Sequence, residues 1–173
     1  MRLFIAIPLP KNVQRTVFAV EEALKKTASS GRFVPEGNHH ITVRFIGESD
    51  DLADIAAAMH EAVKDARPFL LRLGSAGSFT NSGAKTCYIG IEGETDEYFR
   101  IFETLEAALL DRGFVRGRGK PVPHITLARA VEHEEALSLT VPPETFRAAS
   151  IVLYESRNER GRMVYTPVHT ENF

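Results

Sequence analysis

Hydrophobic and polar positions along this chain follow two periods, one typical of β-strands and one typical of α-helices. A short apolar run predicts a strand at 2–8, and apolar residues at helical spacing predict a helix directly after it, at about 11–27. The same spacing predicts two more amphipathic helices, one that begins after the N-cap-like cluster at 47–51 and one at about 96–111. Each helix has one apolar face, so each is expected to cover one side of a sheet.

The other elements are shorter and are bounded by glycine, proline and polar residues. In chain order the pattern predicts an extended segment at 68–73, a loop at 74–83, a strand at 86–91, a short polar helix at about 132–137, and two closing strands at 147–155 and 163–169 joined by a hairpin. The chain therefore combines helices with strands that have one buried face.

The sequence His-Ile-Thr followed by an apolar residue occurs twice, at 40–43 and at 124–127. Isoleucine, threonine, valine and leucine favour strands, in which successive side chains point to opposite faces. The histidine and threonine of each copy therefore share one face, and the isoleucine between them points towards a core. The four residues on the shared faces are His40, Thr42, His124 and Thr126. A single His-x-Thr is a weak signal, and its repetition is what indicates a functional pair.

The two histidines lie 84 residues apart (124 minus 40), and a strand, a helix, a His-x-Thr strand and a helix recur in outline around them. The repetition predicts an α+β fold with two pseudo-symmetric lobes of antiparallel sheet, outer helices and a central groove that both His-Thr pairs line. A length of 173 residues suits one domain, so 1–173 is expected to form a single bilobal unit.

Composition is that of a globular protein. Apolar residues make up 43% of the chain and charged residues 25%, and no apolar run approaches the ~20 residues of a membrane span. The single Cys87 cannot form an internal disulfide, which fits a reducing compartment. We therefore expect a cytoplasmic monomer without membrane contact.

A net charge of −2 gives no overall attraction to nucleic acid, so contacts with RNA or phosphate require a local basic patch. The best candidate is 112–120, which has four cations, three glycines and no acid and leads directly into the second motif. Its Arg116, Arg118 and Lys120 are the candidate RNA-contact residues. A second cluster at 157–162 has acids interleaved and is interpreted as a solvated turn.

The chain resembles the 2H phosphoesterases and, among them, the RNA 2′,3′-cyclic phosphodiesterases that are also called 2′-5′ RNA ligases or LigT-like proteins. The resemblance spans nearly the whole chain and rests on Arg2-Leu3-Phe4-Ile5-Ala6-Ile7, His40-Ile41-Thr42-Val43-Arg44-Phe45-Ile46-Gly47-Glu48 and Pro123-His124-Ile125-Thr126-Leu127-Ala128-Arg129. It implies opening of a 2′,3′-cyclic phosphate to a 2′-phosphomonoester without metal or cofactor. The implied partner is RNA with such an end, a tRNA fragment for example, or a small cyclic nucleotide.

The residues support that chemistry independently, because two imidazoles can supply the base that deprotonates water and the acid that protonates the departing ribose oxygen. The resemblance implies that His40 is the acid at O3′ and His124 the base, whereas the residues alone allow the reverse. The hydroxyls of Thr42 and Thr126 would hold the phosphate.

Two arginines are further candidates for phosphate binding. Arg129 occupies the family's cationic position after the second motif, but strict alternation puts it on the wrong face unless the strand twists or bulges. Arg44 lies an even number of positions after His40 and Thr42, so alternation puts it on the same face of the strand as these two side chains.

Other functions stay open. One alternative is a metal hydrolase, but the sequence contains no His-Glu-x-x-His pattern and no cysteine cluster that would support it. Another is a non-catalytic module that binds RNA ends or phosphate, which would not need both histidines. Reversal of the reaction would give ATP-independent 2′-5′ ligation. The remaining histidines are interpreted as surface or structural residues: His39, His60, His133 and His169.

Overall fold

The computed structural model describes residues 1–81, 84–132 and 138–173, and these ranges contain three α-helices and nine β-strands. The elements are β1 (Arg2–Pro8), α1 (Lys11–Thr27), β2 (Ser30–Phe33), β3 (His40–Glu48), α2 (Leu52–Val63), β4 (Phe69–Asn81), β5 (Ala84–Gly93), α3 (Thr95–Asp111), β6 (His124–Glu132), β7 (Thr145–Ala148), β8 (Ser150–Glu159) and β9 (Arg162–Asn172). No helix in the described ranges is long and apolar enough to cross a membrane.

All described strands join one antiparallel sheet in the order β7-β4-β5-β6-β3-β1-β8-β9, with β2 paired to β6. The sheet narrows at its centre, where β3 and β6 share a single residue pair, Ile41 with Ile125. This junction divides the sheet into a first lobe (β1, β3, β8 and β9) and a second lobe (β2, β4, β5, β6 and β7). The predicted α+β fold with two lobes is confirmed, and the two lobes are halves of one curved sheet.

The helices cover one face of the sheet and leave the other face open. Helix α1 packs against β2 and β6, α2 packs against α3 and β9, and α3 packs against β3. The buried side of α1 carries the valines at helical spacing, Val13, Val17 and Val20. Their apolar surface, together with the inward side chains of the strands, forms a hydrophobic core that leaves the opposite face available for chemistry.

The predicted loop at 74–83 is wrong, because β4 continues through it as far as Asn81. The glycines that suggested a loop allow close approach of β5: a side chain at position 77 would lie 2.6 Å from the hydroxyl oxygen of Tyr88, and one at position 74 would lie 3.0 Å from the carbonyl oxygen of Gly90. The short strand β2 was not predicted. Residues 133–137 of the predicted polar helix lie outside the described residues.

Candidate active site

The two His-x-Thr strands lie side by side at the centre of the sheet. Ile41 and Ile125 pair with each other and are fully buried, so the residues on either side of each isoleucine point to the open face. Antiparallel pairing through these isoleucines sets the histidine of each strand beside the threonine of the other strand. Two imidazoles and two hydroxyls therefore share one groove at the junction of the lobes.

Both imidazoles are oriented by the backbone two residues earlier in the chain. His40 Nδ1 donates to the carbonyl oxygen of Asn38 at 2.7 Å, and His124 Nδ1 donates to that of Val122 at 2.6 Å. A carbonyl oxygen can only accept, so Nδ1 carries a proton in each ring and Nε2 is the nitrogen that can take up or release one. The Thr42 hydroxyl lies 3.0 Å from His40 Nε2.

Each histidine also lies against two aromatic rings of its own lobe. The distances between ring centroids are 4.9 Å from His40 to Phe4 and 5.5 Å to Tyr165, and 5.2 Å from His124 to Phe79 and 5.5 Å to Tyr88. These rings were missed at the sequence level, since Phe79 was placed in a loop and the other three lie in strands distant in sequence. They remove water from the imidazoles and restrict their rotation.

Burial lowers the pKa of His40 to about 4, against the raising effect of the Asn38 carbonyl. Repulsion from His39, Arg129 and His124 lowers it further. Burial also lowers the pKa of His124, with a smaller contribution from Arg129. Both imidazoles are therefore neutral at pH 7 while the groove holds no anion.

A bulge in β6 returns Arg129 to the open face of the sheet, the face that carries His124 and Thr126. On β5, the adjacent residues Tyr88 and Cys87 pair with Thr126 and Ala128 of β6. Leu127 is therefore an extra residue on β6 with no partner of its own in the β5 register. The alternation reverses at this point: Leu127 and Ala128 are both buried, and Arg129 is exposed. Burial is the main cause of the low pKa of both histidines, and the positive charge of Arg129 is a smaller contribution to each.

Arg44 lies in a different environment. Its Nε is 2.9 Å from Glu106 Oε2 on α3, and it donates to the carbonyl oxygen of Val115 at 2.6 Å. The other oxygen of Glu106 accepts from the Gly117 amide at 2.9 Å. Only 11% of the Arg44 side chain and 7% of the Glu106 side chain are exposed. This pair therefore fastens residues 112–120, here called the basic loop, to β3, the strand that carries His40 and Thr42.

Three cations of the basic loop are exposed at the edge of a cleft. Arg112 is ion-paired with Glu61 at 3.0 Å, whereas Arg116, Arg118 and Lys120 are exposed and pair with no carboxylate in the described ranges. Arg116, Arg118 and Lys120 line a cleft together with Thr42 and His124. The loop thus places positive charge directly beside the histidine groove.

Comparison with known proteins agrees with this geometry. The family model for the 2′-5′ RNA ligase superfamily matches residues 11–160, which include both His-x-Thr strands. The chain belongs to this superfamily. The family resemblance seen in the sequence is confirmed.

Several relatives of this superfamily member are curated as RNA 2′,3′-cyclic phosphodiesterases. The one from Thermotoga maritima is 31% identical over 132 residues, covering 75% of this chain and 70% of the relative. The one from Escherichia coli K12 is 27% identical over 171 residues, covering 96% and 93%. The crystal structure of Escherichia coli LigT complexed with 3′-AMP superposes with a TM-score of 0.83 at 25% identity, covering 99% of this chain and 97% of LigT.

Behind the groove, this member of the superfamily carries a buried pair of hydrogen-bonded side chains. His39 Nε2 lies 2.8 Å from Glu21 Oε2 of α1, and neither side chain is exposed. The Gln14 amide donates to the His39 carbonyl oxygen at 2.7 Å. These contacts tie α1 to the residue that precedes β3, and removal of one partner would leave the other buried without its hydrogen bond, at a cost of roughly 1–3 kcal/mol. His39 is therefore a structural histidine.

Two further histidines share one carboxylate away from the groove. His169 Nε2 is 2.7 Å and His60 Nδ1 is 3.3 Å from the oxygens of Glu171. His133 lies outside the described residues. Within those residues, no group of three or more histidine, cysteine or acidic side chains is arranged to hold a metal ion.

Proposed function

We propose that this chain opens RNA 2′,3′-cyclic phosphate ends to 2′-phosphomonoesters by general acid–base catalysis between His40 and His124. The observation that carries the proposal is the pairing of the two His-x-Thr strands, which brings two imidazoles of the same tautomer to one groove. Membership of the superfamily and the names of its curated relatives support cyclic phosphodiesterase activity.

The reaction assigns one proton transfer to each imidazole. His124 takes a proton from water as the water oxygen bonds to phosphorus, and His40 gives a proton to O3′ as the bond between phosphorus and O3′ breaks. Exchange with solvent then restores both rings. The Thr42 and Thr126 hydroxyls donate to the non-bridging oxygens, on which negative charge grows in the transition state.

Of the two arginines, Arg129 is the better candidate for phosphate binding. Its charge is close to both imidazoles, and its planar fork matches two phosphate oxygens. Arg44 is engaged with Glu106 and with a carbonyl of the basic loop, so its contribution to phosphate binding would be indirect.

In the proposed mechanism, protonation of the acid is coupled to substrate binding. Both imidazoles have a lowered pKa in the empty groove, chiefly because they are buried. A phosphate anion favours the charged form of a nearby imidazole, so its arrival raises both pKa values. Binding should therefore take up a proton, and kcat/KM should be highest at mildly acidic pH.

Turnover of adenosine 2′,3′-cyclic phosphate is expected to persist in excess EDTA and to give adenosine 2′-phosphate, because no step requires a metal. Phosphorus NMR distinguishes the 2′ from the 3′ product during the reaction. Loss of activity in EDTA with recovery on addition of zinc would favour a metal-dependent hydrolase. Tight binding without turnover would favour a non-catalytic phosphate-binding module.

The reverse reaction in the same groove would join a 5′-hydroxyl to a 2′,3′-cyclic phosphate and form a 2′-5′ linkage without ATP. The acid and base exchange roles, as microscopic reversibility requires. Water competes for the same position, so hydrolysis should dominate unless the 5′-hydroxyl strand is itself bound. Adding a 5′-hydroxyl oligonucleotide to the hydrolysis assay measures this partition.

The basic loop is expected to bind phosphates beyond the scissile one. Replacing Arg116, Arg118 and Lys120 together with alanine should lower kcat/KM for oligonucleotide cyclic phosphates and flatten its dependence on salt, since fewer counterions are released. Mononucleotide cyclic phosphates should be nearly unaffected. The assay is steady-state kinetics at several salt concentrations.

A matched control removes three exposed cations distant from the groove, Lys26, Lys64 and Arg147, and so changes net charge equally. Equal losses in the loop variant and this control would show a general charge effect. A loss on mononucleotides as well would show that the loop only supports the His124 strand.

A further inference from the structure

The hairpin of β8 and β9 curls over the open face of the first lobe. In the sheet, β1 and β8 separate β9 from β3, yet the side-chain amide of Asn38 donates to the Met163 carbonyl oxygen of β9 at 2.8 Å. The Tyr165 ring of β9 lies 5.5 Å from the His40 ring, measured between centroids. Both contacts hold β9 beside Asn38, the residue whose carbonyl oxygen orients His40.

An open cavity of about 560 Å³, here called the hairpin cavity, lies between this hairpin and Asn38. Tyr165 lines the cavity and also contacts His40, so the cavity adjoins the histidine groove. The other lining residues come from the end of the hairpin: Glu159, Arg160, Arg162, Met163 and Val164. None of these residues lines the cleft beside the basic loop.

Two arginines of the hairpin cavity are available to a ligand. Arg160 and Arg162 are exposed and pair with no carboxylate in the part of the chain that the structure describes, whereas Arg157 of the same hairpin is 2.8 Å from Glu155. Glu159 is the one acid in the lining, so the lining keeps a net positive charge. A guanidinium group matches the geometry of phosphate oxygens, and the cavity therefore suits a phosphate.

Arg160 occupies a backbone position that favours a different residue. The two-residue turn between Glu159 and Arg162 has positive φ at both central positions, 53° at Arg160 and 85° at Gly161. Asparagine followed by glycine is a preferred pair in such a turn, because larger side chains are disfavoured in the left-handed region. Strain of this kind often accompanies a functional side chain, and here that side chain lines the cavity.

The proposed reaction determines which edge of the nucleotide faces the hairpin. His40 protonates O3′, and the C3′ that carries O3′ is bonded to C4′, which in turn carries C5′. The 5′-substituent therefore lies on the O3′ edge of the ribose, the edge that faces His40. Past His40 on this side are Tyr165 and the hairpin cavity.

We propose that the hairpin cavity binds the 5′-phosphate of the nucleotide that carries the cyclic phosphate, with Arg160 and Arg162 as its ligands. The inference rests on the proposed function and adds a second phosphate site to it. In an RNA end this phosphate is the link to the preceding nucleotide. The cavity would thus hold the first phosphate before the scissile one, and the basic loop would act on phosphates further along the strand.

The test compares two substrates that differ only in the 5′ group: adenosine 2′,3′-cyclic phosphate with a 5′-hydroxyl, and the same compound with a 5′-phosphate. The wild type should hydrolyse the 5′-phosphorylated substrate with a kcat/KM about 2- to 30-fold higher, as expected for two solvated ion pairs. Arg160→Asn combined with Arg162→Gln should abolish this preference. The same double variant should leave kcat/KM for the 5′-hydroxyl substrate unchanged.

Arg160→Asn alone separates a binding role from a structural one. Asparagine suits the left-handed position, so the melting temperature should rise while the preference for the 5′-phosphate falls. A rise in stability with an unchanged preference would overturn the role of Arg160. Arg157→Gln is the matched control, because Arg157 is a cation of the same hairpin that pairs with Glu155 and does not line the cavity. Its preference should equal that of the wild type.

Equal kcat/KM of the wild type on the two substrates would overturn the proposal. Loss of the preference in the basic-loop variant with retention in the hairpin double variant would also overturn it, because the 5′-phosphate would then lie at the basic loop. Failure of the proposed function would look different: the wild type would hydrolyse neither substrate. Calorimetry tests the cavity in that case, since adenosine 2′,5′-bisphosphate should bind more tightly than adenosine 2′-phosphate, and equal affinities would exclude the site.

Discussion

Replacement of His40 or His124 by alanine is expected to lower kcat for cyclic phosphate opening by roughly 10²- to 10⁴-fold, because each substitution removes one proton-transfer group. The fold should persist, since both side chains face the groove and the isoleucines beside them form the core contacts. Stopped assays with adenosine 2′,3′-cyclic phosphate measure the loss. Circular dichroism and thermal unfolding check the fold.

His60→Ala provides the matched control for both variants. His60 is 68% exposed and pairs with Glu171 away from the groove, so its removal should leave kcat unchanged. Turnover near the wild-type rate in either groove variant would contradict the acid–base mechanism.

Replacement of Arg129 by methionine is expected to have two separate effects. It should lower kcat/KM by roughly 10²-fold, a loss comparable to that of one preorganised donor to a developing oxyanion. It should also raise the pKa of both histidines, because the charge of Arg129 adds to burial in lowering them. The acid then retains its proton to higher pH, so the alkaline limb of the pH profile for kcat/KM should move upward.

Arg129→Lys separates the two effects, since lysine retains the charge and loses the planar fork. Its kcat/KM should fall while the alkaline limb stays close to that of the wild type. An unchanged pH profile in Arg129→Met would show that Arg129 does not act on the imidazoles. Wild-type kcat/KM in both variants would show that a residue other than Arg129 binds the phosphate.

Much of the fold follows from local periodicity. The predicted helix at 11–27 coincides with α1, and the predicted strand at 2–8 coincides with β1. The closing hairpin was also predicted, although the first predicted strand, at 147–155, includes the end of β7. The paired strands β8 and β9 extend further towards the turn than the apolar pattern indicated, because their ends are paired but solvated. The shared faces of the two His-x-Thr strands follow from alternation alone.

Other features depend on contacts distant in sequence. The second part of β4, from residue 74 onward, was predicted as a loop because glycine disfavours strands, and only the Tyr88 ring on the neighbouring strand explains Gly77. Parity alone put Arg129 on the wrong face, and the bulge at Leu127 is visible only in the register with β5. Arg44 has the parity of a phosphate ligand, yet its partner is a glutamate 62 residues away.

In the proposed mechanism the two imidazoles have different tasks: His40 protonates the leaving oxygen, and His124 deprotonates water. The most direct measurement compares His40→Ala and His124→Ala on a 2′,3′-cyclic phosphate whose bridging 3′-oxygen is replaced by sulfur. A thiolate leaves without a proton, so this substrate makes the acid dispensable while the base stays necessary. We expect His40→Ala to approach the wild-type rate on the sulfur substrate and His124→Ala to remain impaired. Equal impairment of both variants on the oxygen and the sulfur substrates would contradict the division of tasks.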